Sequence, residues 1–565
     1  MVVVERVRST GVPVRLTALL LAPVSLYYAV HSAFIGWTLR SPLPAWDIWV
    51  AIERYFDWVE GGGGLAKLFE FHNEHRIVTT RLLLLVDAKF FDFRGGFPVL
   101  VSYLAMLAIA VVVARVAVGP SNPVAVLVAT ACLSGLVWAI AQTENLGYPF
   151  QVCFPLVHLF ALLTIAATGK ALIGGTVRER YYWFIAAGVF DVLAVFSLAN
   201  GTFVIGSVLL LSVLLRRCPR GLIFFGLGHC LLVVVYLVGF QRPEHHRMFA
   251  PHAADYLRFL ATYSGSFMNG WPWLRVAACL VLFIAASGLT LLALWRSYRG
   301  VGIDPGAAVL LAMSGFVAAA AVVTTVARTG IEPPTIAKFV TPPLVMLACV
   351  AGAAWRLTPK RLAQVLHPTI GIVILIAVVG ANAPWNELVW QYASSEHDKS
   401  ALAFLNGAYP AERRATMISF PESMLTRNLA RLEKRRWAIY GSDKYRPSQD
   451  IFLLAKGDLP KCRLSADVVS FGAEAFVVKG WALAPDSPHG VKWLLAYDEM
   501  GTFLGLTQPT DPRPDVAKAL HAEDERTGFA LYLAPDRVKG NQHVRVVASL
   551  ADAGGCQFEL AVPPH

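Results

Sequence analysis

Long apolar runs dominate the first two thirds of the chain, separated by shorter polar connections. The hydrocarbon core of a bilayer takes about 20 residues of helix, so each such run predicts a membrane-spanning helix. About eleven spans are predicted in this way, and the sixth and the last are rather short. They are Val14–Gly36, Phe97–Val118, Pro123–Ala141, Val152–Thr168, Tyr182–Leu198, Phe203–Leu215, Ile223–Phe240, Leu274–Trp295, Ala307–Val326, Val340–Trp355 and Pro368–Val379.

Basic residues are concentrated in every second connection, and these connections are short. They are Arg6, Arg8 and Arg15; Arg115; Lys170, Arg178 and Arg180; Arg216, Arg217 and Arg220; Arg296 and Arg299; and Arg356, Lys360 and Arg361. The positive-inside rule places these connections in the cytoplasm. No small-residue cleavage site follows the first run, so it is not interpreted as a cleaved signal peptide. The N-terminus is therefore predicted inside, and everything after Val379 outside.

The hydrophobic runs stop near Asn382, where a soluble region begins. The predicted organisation is a transmembrane domain over 1–381, with a long first external loop over 37–96, then a mixed α/β region over 382–461. Helical periodicity in that region is clearest over Met424–Trp437. Residues 462–565 have short apolar or alternating runs between turn residues, which predict a small β-sandwich. These runs are Phe476–Val478, Trp493–Tyr497, Phe529–Leu533 and Val544–Ser549.

Two cysteines, Cys462 and Cys556, flank this β region. An external, oxidising location favours a disulfide between them, which would tie the first strand to the last.

The composition supports a membrane protein. Of 565 residues, 56% are hydrophobic and 15% are charged, with a mean hydropathy of +0.54. Soluble domains carry about a quarter charged residues, so an ordinary cytosolic enzyme is excluded, and the high hydrophobicity excludes disorder. The net charge of +11 reflects loop topology in such a protein rather than nucleic-acid binding.

The first external loop begins with an amphipathic pattern over Asp47–Glu60. Apolar residues recur at helical spacing on one face and carboxylates occupy the other, which predicts a helix lying on the outer membrane surface. The apolar positions are Ile48, Ile52, Tyr55, Phe56 and Val59, and the acidic ones are Glu53, Asp57 and Glu60. Asp47, after Pro44, suits the N-cap of this helix. A cap carboxylate at a membrane surface can also act as a base, so both interpretations stay open.

A dense polar run follows the flexible Gly61–Gly64 segment. It comprises His72, Asn73, Glu74, His75 and Arg76, with Arg81 a little further on. The histidines and Glu74 are potential metal ligands, but their spacing matches no standard zinc signature, so a divalent metal is not favoured. A solvated loop is the alternative.

Further polar residues occur in the other connections predicted to lie outside. They are Gln142, Glu144, Asn145 and Gln151; Arg242, His245, His246 and Arg247; and Arg328 and Lys338. Several basic connections at one membrane depth suit a phosphate or pyrophosphate group. Contact with ordinary anionic lipid is the alternative for any single arginine. Lys338 precedes a span, whose helix N-terminus would further stabilise an anion.

The ionisable residues of note inside the spans are His158, Asp191 and His229. Such groups usually face a bundle interior or a cavity. A proton-coupled transporter would need several carboxylates at mid-depth, and Asp191 is the single one clearly within a span. This pattern counts against ion-coupled transport.

The layout from Val14 to about Val379 resembles the GT-C glycosyltransferases, integral membrane enzymes that use polyprenyl-phosphate-linked sugars. The residues that carry the resemblance are Asp47, the His72–Arg76 run, Arg328 and Lys338. Many members have an Arg-Tyr pair where this chain has Lys338-Phe339. Many also have paired acidic residues at the first-loop site, whereas Asp47 is followed by Ile48, so its partner would be Glu74 or Glu53.

The resemblance implies a transferase that moves a sugar from a polyprenyl-phosphate donor to a cell-envelope glycan or lipid acceptor. It implies an outer-face site in a bacterial inner membrane, with the C-terminal region periplasmic or extracellular and no certain cofactor. The β region resembles carbohydrate-binding sandwiches. The catalytic residues would be Asp47, as base, and Glu74. The substrate contacts would be His72, Asn73, His75, Arg76, Arg81, Gln142, Glu144, Asn145, Arg242, His245, His246, Arg328 and Lys338.

Two other functions fit parts of the pattern. A flippase, polymerase or transporter of lipid-linked saccharides would share the basic outer loops but would not need one specific carboxylate. A membrane sensor would leave the polar first loop unexplained, and every predicted inner connection is short, with no output domain.

The orientation generates a direct prediction. Alkaline phosphatase fused after His565 should be active, because the enzyme matures only outside the cytoplasm, while green fluorescent protein at the same position should be dark. Fusions after Arg178 should give the opposite pair of signals. A fluorescent, phosphatase-negative fusion at His565 would contradict the predicted topology.

Overall fold

A computed structural model describes residues 12–62, 64–241, 250, 252–268, 271–417, 422–454, 457–483, 490–522, 525–550 and 554–563. Its longer helices are Val12–Thr38, Asp47–Gly61, Val78–Phe91, Gly96–Val118, Pro123–Val137, Cys153–Ile173, Val177–Val195, Val204–Leu215, Arg220–Leu237, Ala253–Ser264, Pro272–Tyr298, Pro305–Arg328, Thr341–Leu357, Lys360–Ala381, Pro384–Leu405 and Glu422–Arg435. Shorter helices are Thr143–Gly147, Ala411–Met417, Gln449–Leu454, Pro514–Leu520 and Pro535–Val538.

Each predicted apolar run coincides with a helix. Within the described residues, eight helices are long and apolar enough to cross a membrane. A ninth is counted if Pro123–Val137 and Ile140–Gly147, which are bent by 51° at their junction, form one broken span. Val177–Val195 carries several charged residues and Val204–Leu215 has only 12, so neither is among the eight. The chain therefore has the helices of a multi-pass membrane protein, while the number eleven stays a prediction.

The described residues form two compact units. The first comprises the described parts of Met1–Arg40, Gly61–Val86 and Gly96–Trp390. The second comprises those of Ser41–Glu60, Asp87–Gly95 and Gln391–His565. The second unit thus recruits two segments from the loop that was assigned to the transmembrane domain.

Small residues let the central helices of the first unit approach closely. At Gly169, in Cys153–Ile173, a Cβ atom would lie 2.6 Å from a methyl group of Val309. At Gly352, in Thr341–Leu357, it would lie 3.1 Å from Leu310. Small interfacial residues are typical of membrane helix packing, because lipid is as apolar as the side chains. The two glycines thus let the helices Cys153–Ile173 and Thr341–Leu357 approach the helix Pro305–Arg328 closely.

The C-terminal part of the second unit is a sandwich of two antiparallel sheets. Its strands are β1 (Arg463–Phe471), β2 (Phe476–Leu483), β3 (Val491–Tyr497), β4 (Phe503–Thr507), β5 (Gly528–Leu533), β6 (His543–Leu550) and β7 (Gly555–Ala561). The sheets have the orders β1-β2-β5 and β4-β3-β6-β7. Phe476 and Leu531 from one sheet share a buried core with Leu494 and Val546 from the other. The four predicted apolar runs correspond to β2, β3, β5 and β6.

A disulfide joins Cys462, just before β1, to Cys556 in β7. It closes a sequence separation of 94 residues across the sandwich. Cross-linking such a long loop lowers the entropy of the unfolded chain and thereby stabilises the fold.

Asn406 links the two sheets from the end of the helix Pro384–Leu405. Its Nδ2 donates to the carbonyl oxygens of Leu506 in β4 and Tyr532 in β5, both at 2.8 Å. Its Oδ1 accepts from the backbone N–H of Leu506 at 2.9 Å. Gly505 makes room for this amide, because a Cβ there would lie 2.6 Å from Asn406 Cγ. One buried side chain therefore satisfies three backbone groups from both sheets.

The predicted amphipathic helix is confirmed as Asp47–Gly61, and its position at the membrane surface stays a prediction. Phe56 is fully buried and stacks on Trp437 with ring centroids 6.1 Å apart. The guanidinium groups of Arg431 and Arg435, in the helix Glu422–Arg435, lie over the Phe56 ring. The buried part of the apolar face thus packs against protein, and this packing is one cause of the amphipathic pattern.

Ion pairs reinforce this helix pair on its polar side. Glu53 pairs with Arg427 and Arg431, and Glu60 pairs with Arg431 at 3.0 Å and Arg435 at 3.3 Å. The three arginines recur every four residues, which aligns them along one helix face.

Short strands were also expected within 382–461, but the described residues from Asn382 to Pro460 contain helices and turns and no strand.

The Asn406 contacts generate a stability prediction. Asn406→Ala should destabilise the sandwich by about 2–4 kcal/mol, because it strands buried backbone donors and acceptors. Thermal proteolysis of the detergent-solubilised chain, followed through a C-terminal tag, measures the shift. Asn541→Ala is the matched control, since that amide bonds only to carbonyls of its own turn. Equal melting of both variants would refute the linking role of Asn406.

Candidate functional site

The polar run of the first loop forms a tight turn in the first unit. His72 and His75 exchange backbone hydrogen bonds of 2.7 and 2.9 Å, which leaves Asn73 and Glu74 at the tip. Asn73 has φ of 51°, a left-handed conformation that asparagine tolerates better than most residues. The hydroxyl of Tyr236 accepts from the N–H of Arg76 at 3.0 Å and thus fastens the turn.

Arg76 and Arg81 bind the loop itself. Arg76 donates through Nε to the Tyr236 carbonyl at 2.7 Å, and its other nitrogens bond to the carbonyls of Phe69 and Val238. Arg81 donates to the Leu68 carbonyl at 2.7 Å and to that of Glu70. These contacts shape the backbone that presents Glu74; contact of either arginine with substrate stays a prediction.

Glu74 is the centre of the charged cluster. Its Oε1 forms an ion pair with Nη2 of Arg328 and lies 3.2 Å from Nε2 of His75. The same His75 nitrogen is 3.4 Å from Arg328 Nη2, so its tautomer decides whether it donates to the carboxylate or accepts from the guanidinium. Burial alone would raise the pKa of Glu74, but the His75 and Arg328 contacts outweigh it and hold the pKa well below its usual range.

Glu332 joins Arg328 to Lys338. Its Oε1 lies 3.5 Å from Nη1 of Arg328, and its Oε2 lies 3.0 Å from Nζ of Lys338. The five side chains of this charged cluster, Glu74, His75, Arg328, Glu332 and Lys338, are each between 13% and 23% exposed, so the cluster is mostly buried with a small part open to solvent. It combines two permanent cations with two carboxylates and one histidine.

The connection Gln142–Gln151 forms hydrogen bonds with the backbone and side chains next to Lys338. Asn145 is fully buried and donates to the Lys338 carbonyl at 3.0 Å and to the Thr341 hydroxyl at 2.8 Å. Thr341 in turn donates to Gln142. These bonds hold Lys338 and the start of the helix Thr341–Leu357 in place, so Asn145 and Gln142 have positioning roles in the structure.

His72 and Glu144 differ in their relation to the cluster. The ring of His72 is buried and lies 5.0 Å from that of Phe150, whereas Glu144 accepts from Gln151 at 3.3 Å and also interacts electrostatically with Lys338 and Glu332. Within the described ranges, no group of three His, Cys, Asp or Glu side chains is arranged to hold a metal ion. His75 contacts Glu74, but His72, Glu74 and His75 together do not form such a group.

Four predicted residues lie outside the unit that holds the cluster or outside the described residues. Asp47 is the first residue of the helix Asp47–Gly61 and belongs to the second unit, whereas the cluster belongs to the first. Arg242, His245 and His246 lie outside the described residues. The roles predicted for these four residues stay predictions.

Two of the three ionisable residues noted within the predicted spans, Asp191 and His229, form a separate pair. Nδ1 of His229 lies 2.8 Å from Oδ2 of Asp191, and its Nε2 lies 3.1 Å from the Thr202 carbonyl. His158 instead contacts the Phe154 carbonyl at 2.7 Å. The pair ties Val177–Val195 to Arg220–Leu237, which accounts for two polar residues inside the bundle.

Sequence reasoning missed Glu332 and Tyr236. Glu332 could have been found, because it follows Arg328 by four residues and precedes Lys338 by six, which suits a local counter-ion. Tyr236 gives no such signal, since one tyrosine at the end of an apolar run is ordinary in a membrane protein.

Known proteins add no identification. No protein-family profile matches the chain, and no curated protein or solved structure is significantly similar to it. The fold defines the chain as a mostly helical protein with several helices long and apolar enough to span a membrane and a C-terminal antiparallel sandwich.

The Glu74 pair generates a pH prediction. A carboxyl whose pKa is depressed by folding stabilises the protein above its unfolded pKa of about 4.3, and this stabilisation is lost as the pH falls through the lower folded value. Glu74→Gln should therefore lower stability by about 1–3 kcal/mol near neutral pH, and the deficit should shrink below about pH 4.5.

Thermal unfolding in detergent over a pH series measures this deficit. Glu70→Gln, at an exposed position of the same loop, is the control and should differ little from wild type at any pH. A deficit that grows on acidification would contradict the ion-pair interpretation.

Proposed function

We propose that the chain is a membrane glycosyltransferase that moves a sugar from a polyprenyl-phosphate donor to an acceptor hydroxyl on the outer face of the membrane. One observation carries the proposal: two connections far apart in sequence place Arg328, Lys338, His75 and their carboxylates in one partly exposed cluster at the ends of apolar helices. A phosphate attached to a lipid tail needs such cationic groups next to an apolar phase.

The reaction forms a bond between the acceptor oxygen and the anomeric carbon, and it breaks the bond from that carbon to the phosphate oxygen. The acceptor hydroxyl loses a proton to a base, and the lipid phosphate leaves with the electron pair. Arg328 and Lys338 would stabilise the charge that develops on this leaving group. Positioned donors of this kind supply a large part of the rate enhancement in group-transfer enzymes.

The roles of the carboxylates differ. Glu74 has a depressed pKa and is held against Arg328, and a weak base of this kind accepts protons poorly. We therefore assign Glu74 the orientation of Arg328 and His75. Asp47, the carboxylate that begins the helix Asp47–Gly61, keeps the proposed role of base.

Sugar transfer by the purified chain tests the proposal. Full-length protein in detergent would receive a radiolabelled polyprenyl-phosphate sugar and a panel of acceptors. Wild type should transfer label, and Asp47→Asn should reduce the rate by about 10²–10⁴-fold, the usual contribution of a general base. Asp57→Asn, an exposed carboxylate of the same helix, should retain wild-type activity.

The outcomes separate the alternatives. Full activity of Asp47→Asn would remove its assignment as base but leave the transferase. Movement of intact lipid-linked saccharide across proteoliposomes, without transfer of label, would instead favour a flippase or transporter.

A further inference from the structure

The Glu332 carboxylate bridges the two cations that were predicted to bind phosphate. One oxygen faces Arg328 at 3.5 Å and the other faces Lys338 at 3.0 Å. Two oxygens of a phosphate would make the same pair of contacts. We infer that Glu332 occupies the phosphate position in the ligand-free protein and competes with the ligand for Arg328 and Lys338, an inference that rests on the proposed function.

The charge balance of the cluster requires such an exchange. Arg328 and Lys338 carry two positive charges, and Glu74 and Glu332 carry two negative ones, so these four side chains together are neutral. The carboxyl of Glu144, which also interacts with Lys338, adds no positive charge. An added phosphate would gain little from a neutral cluster while it lost its own hydration. Release of one carboxylate restores a positive charge for the incoming anion.

Glu332 is the carboxylate suited to leave. Its contact with Arg328 is the longest of the cluster, and its side chain, at 23% exposed, is more accessible than that of Glu74 at 17%. It lies in the irregular connection between the helix that ends at Arg328 and the short 3₁₀ helix Ala337–Val340. The cations are better fixed, because Arg328 ends a packed helix and Asn145 holds the backbone of Lys338.

The competition favours release of the product. A polyprenyl-phosphate sugar is a phosphodiester with one negative charge, whereas the lipid phosphate left after transfer is a monoester with about −1.5 to −2 at neutral pH. Two uncompensated cations would hold the monoester too tightly for turnover. Return of the Glu332 carboxylate supplies a replacement counter-ion as the product departs.

Binding of decyl phosphate, a monoester with one tail, tests this inference without any sugar. Calorimetric titration of full-length protein in detergent would compare wild type with Glu332→Gln, Glu332→Asp and Lys338→Gln. If the competent cations are free about a tenth of the time, Glu332→Gln should bind about tenfold more tightly. Glu332→Asp should fall between Glu332→Gln and wild type, and Lys338→Gln should bind weakly.

The controls separate charge from position. Glu387→Gln makes the same charge change at a carboxylate that pairs with His31 at 3.1 Å, and it should bind like wild type. Inorganic phosphate, titrated in parallel, distinguishes the source of the ligand. A gain for both ligands indicates a site for the headgroup alone, and a gain for decyl phosphate alone indicates a lipid site.

The inference fails if Glu332→Gln and Glu332→Asp bind decyl phosphate no more tightly than wild type, or if no variant binds it. A merely structural Glu332 would give weaker binding together with a lower unfolding temperature. Tighter binding by Glu332→Gln in a protein that transfers no sugar would refute the proposed transferase but sustain the competition between carboxylate and phosphate.

Discussion

The ion pair between Arg328 and Glu74 is the constraint around which the charged cluster is organised. Arg328 ends a long apolar helix, where a guanidinium without counter-ions would be costly at the edge of a membrane. Glu74 reaches it from a turn that Tyr236 and Arg76 fasten to a neighbouring helix. The first loop is therefore built to deliver one carboxylate to one position, and the other contacts of the cluster depend on that delivery.

Much of the fold was predictable because it follows from repeated local patterns. Apolar runs of membrane length became helices, and short apolar runs such as Phe476–Val478 became parts of strands. The strand β1 was missed, because five of its positions are half-buried and four exposed, which leaves no apolar alternation to detect. The assignment of Asp47–Gly61 to the second unit was also beyond the sequence, since its partners Arg427 and Arg431 lie hundreds of residues away.

The candidate site was predictable in part, because the positions of polar residues between apolar runs are also a local sequence pattern. Titratable residues in outer connections could be listed from the sequence, and Glu74, His75, Arg328 and Lys338 do meet. The sequence could not show that the side chains of Arg76 and Arg81 donate to backbone carbonyls. Those carbonyls come within reach only when the turn has formed. Glu332 was not predicted, because the site was predicted from basic residues in the outer connections and Glu332 is acidic.

The helix pair of the second unit has a consequence for biosynthesis. Glu53 and Arg427 are 374 positions apart, and nearly all of the membrane helices are synthesised between them. At about 5–20 residues per second, the first helix waits roughly 20–75 s for its partner. During that interval the apolar surface of Phe56 has no cover from Trp437, so the nascent chain presents a ready substrate for chaperones at the membrane until the last third of the polypeptide emerges.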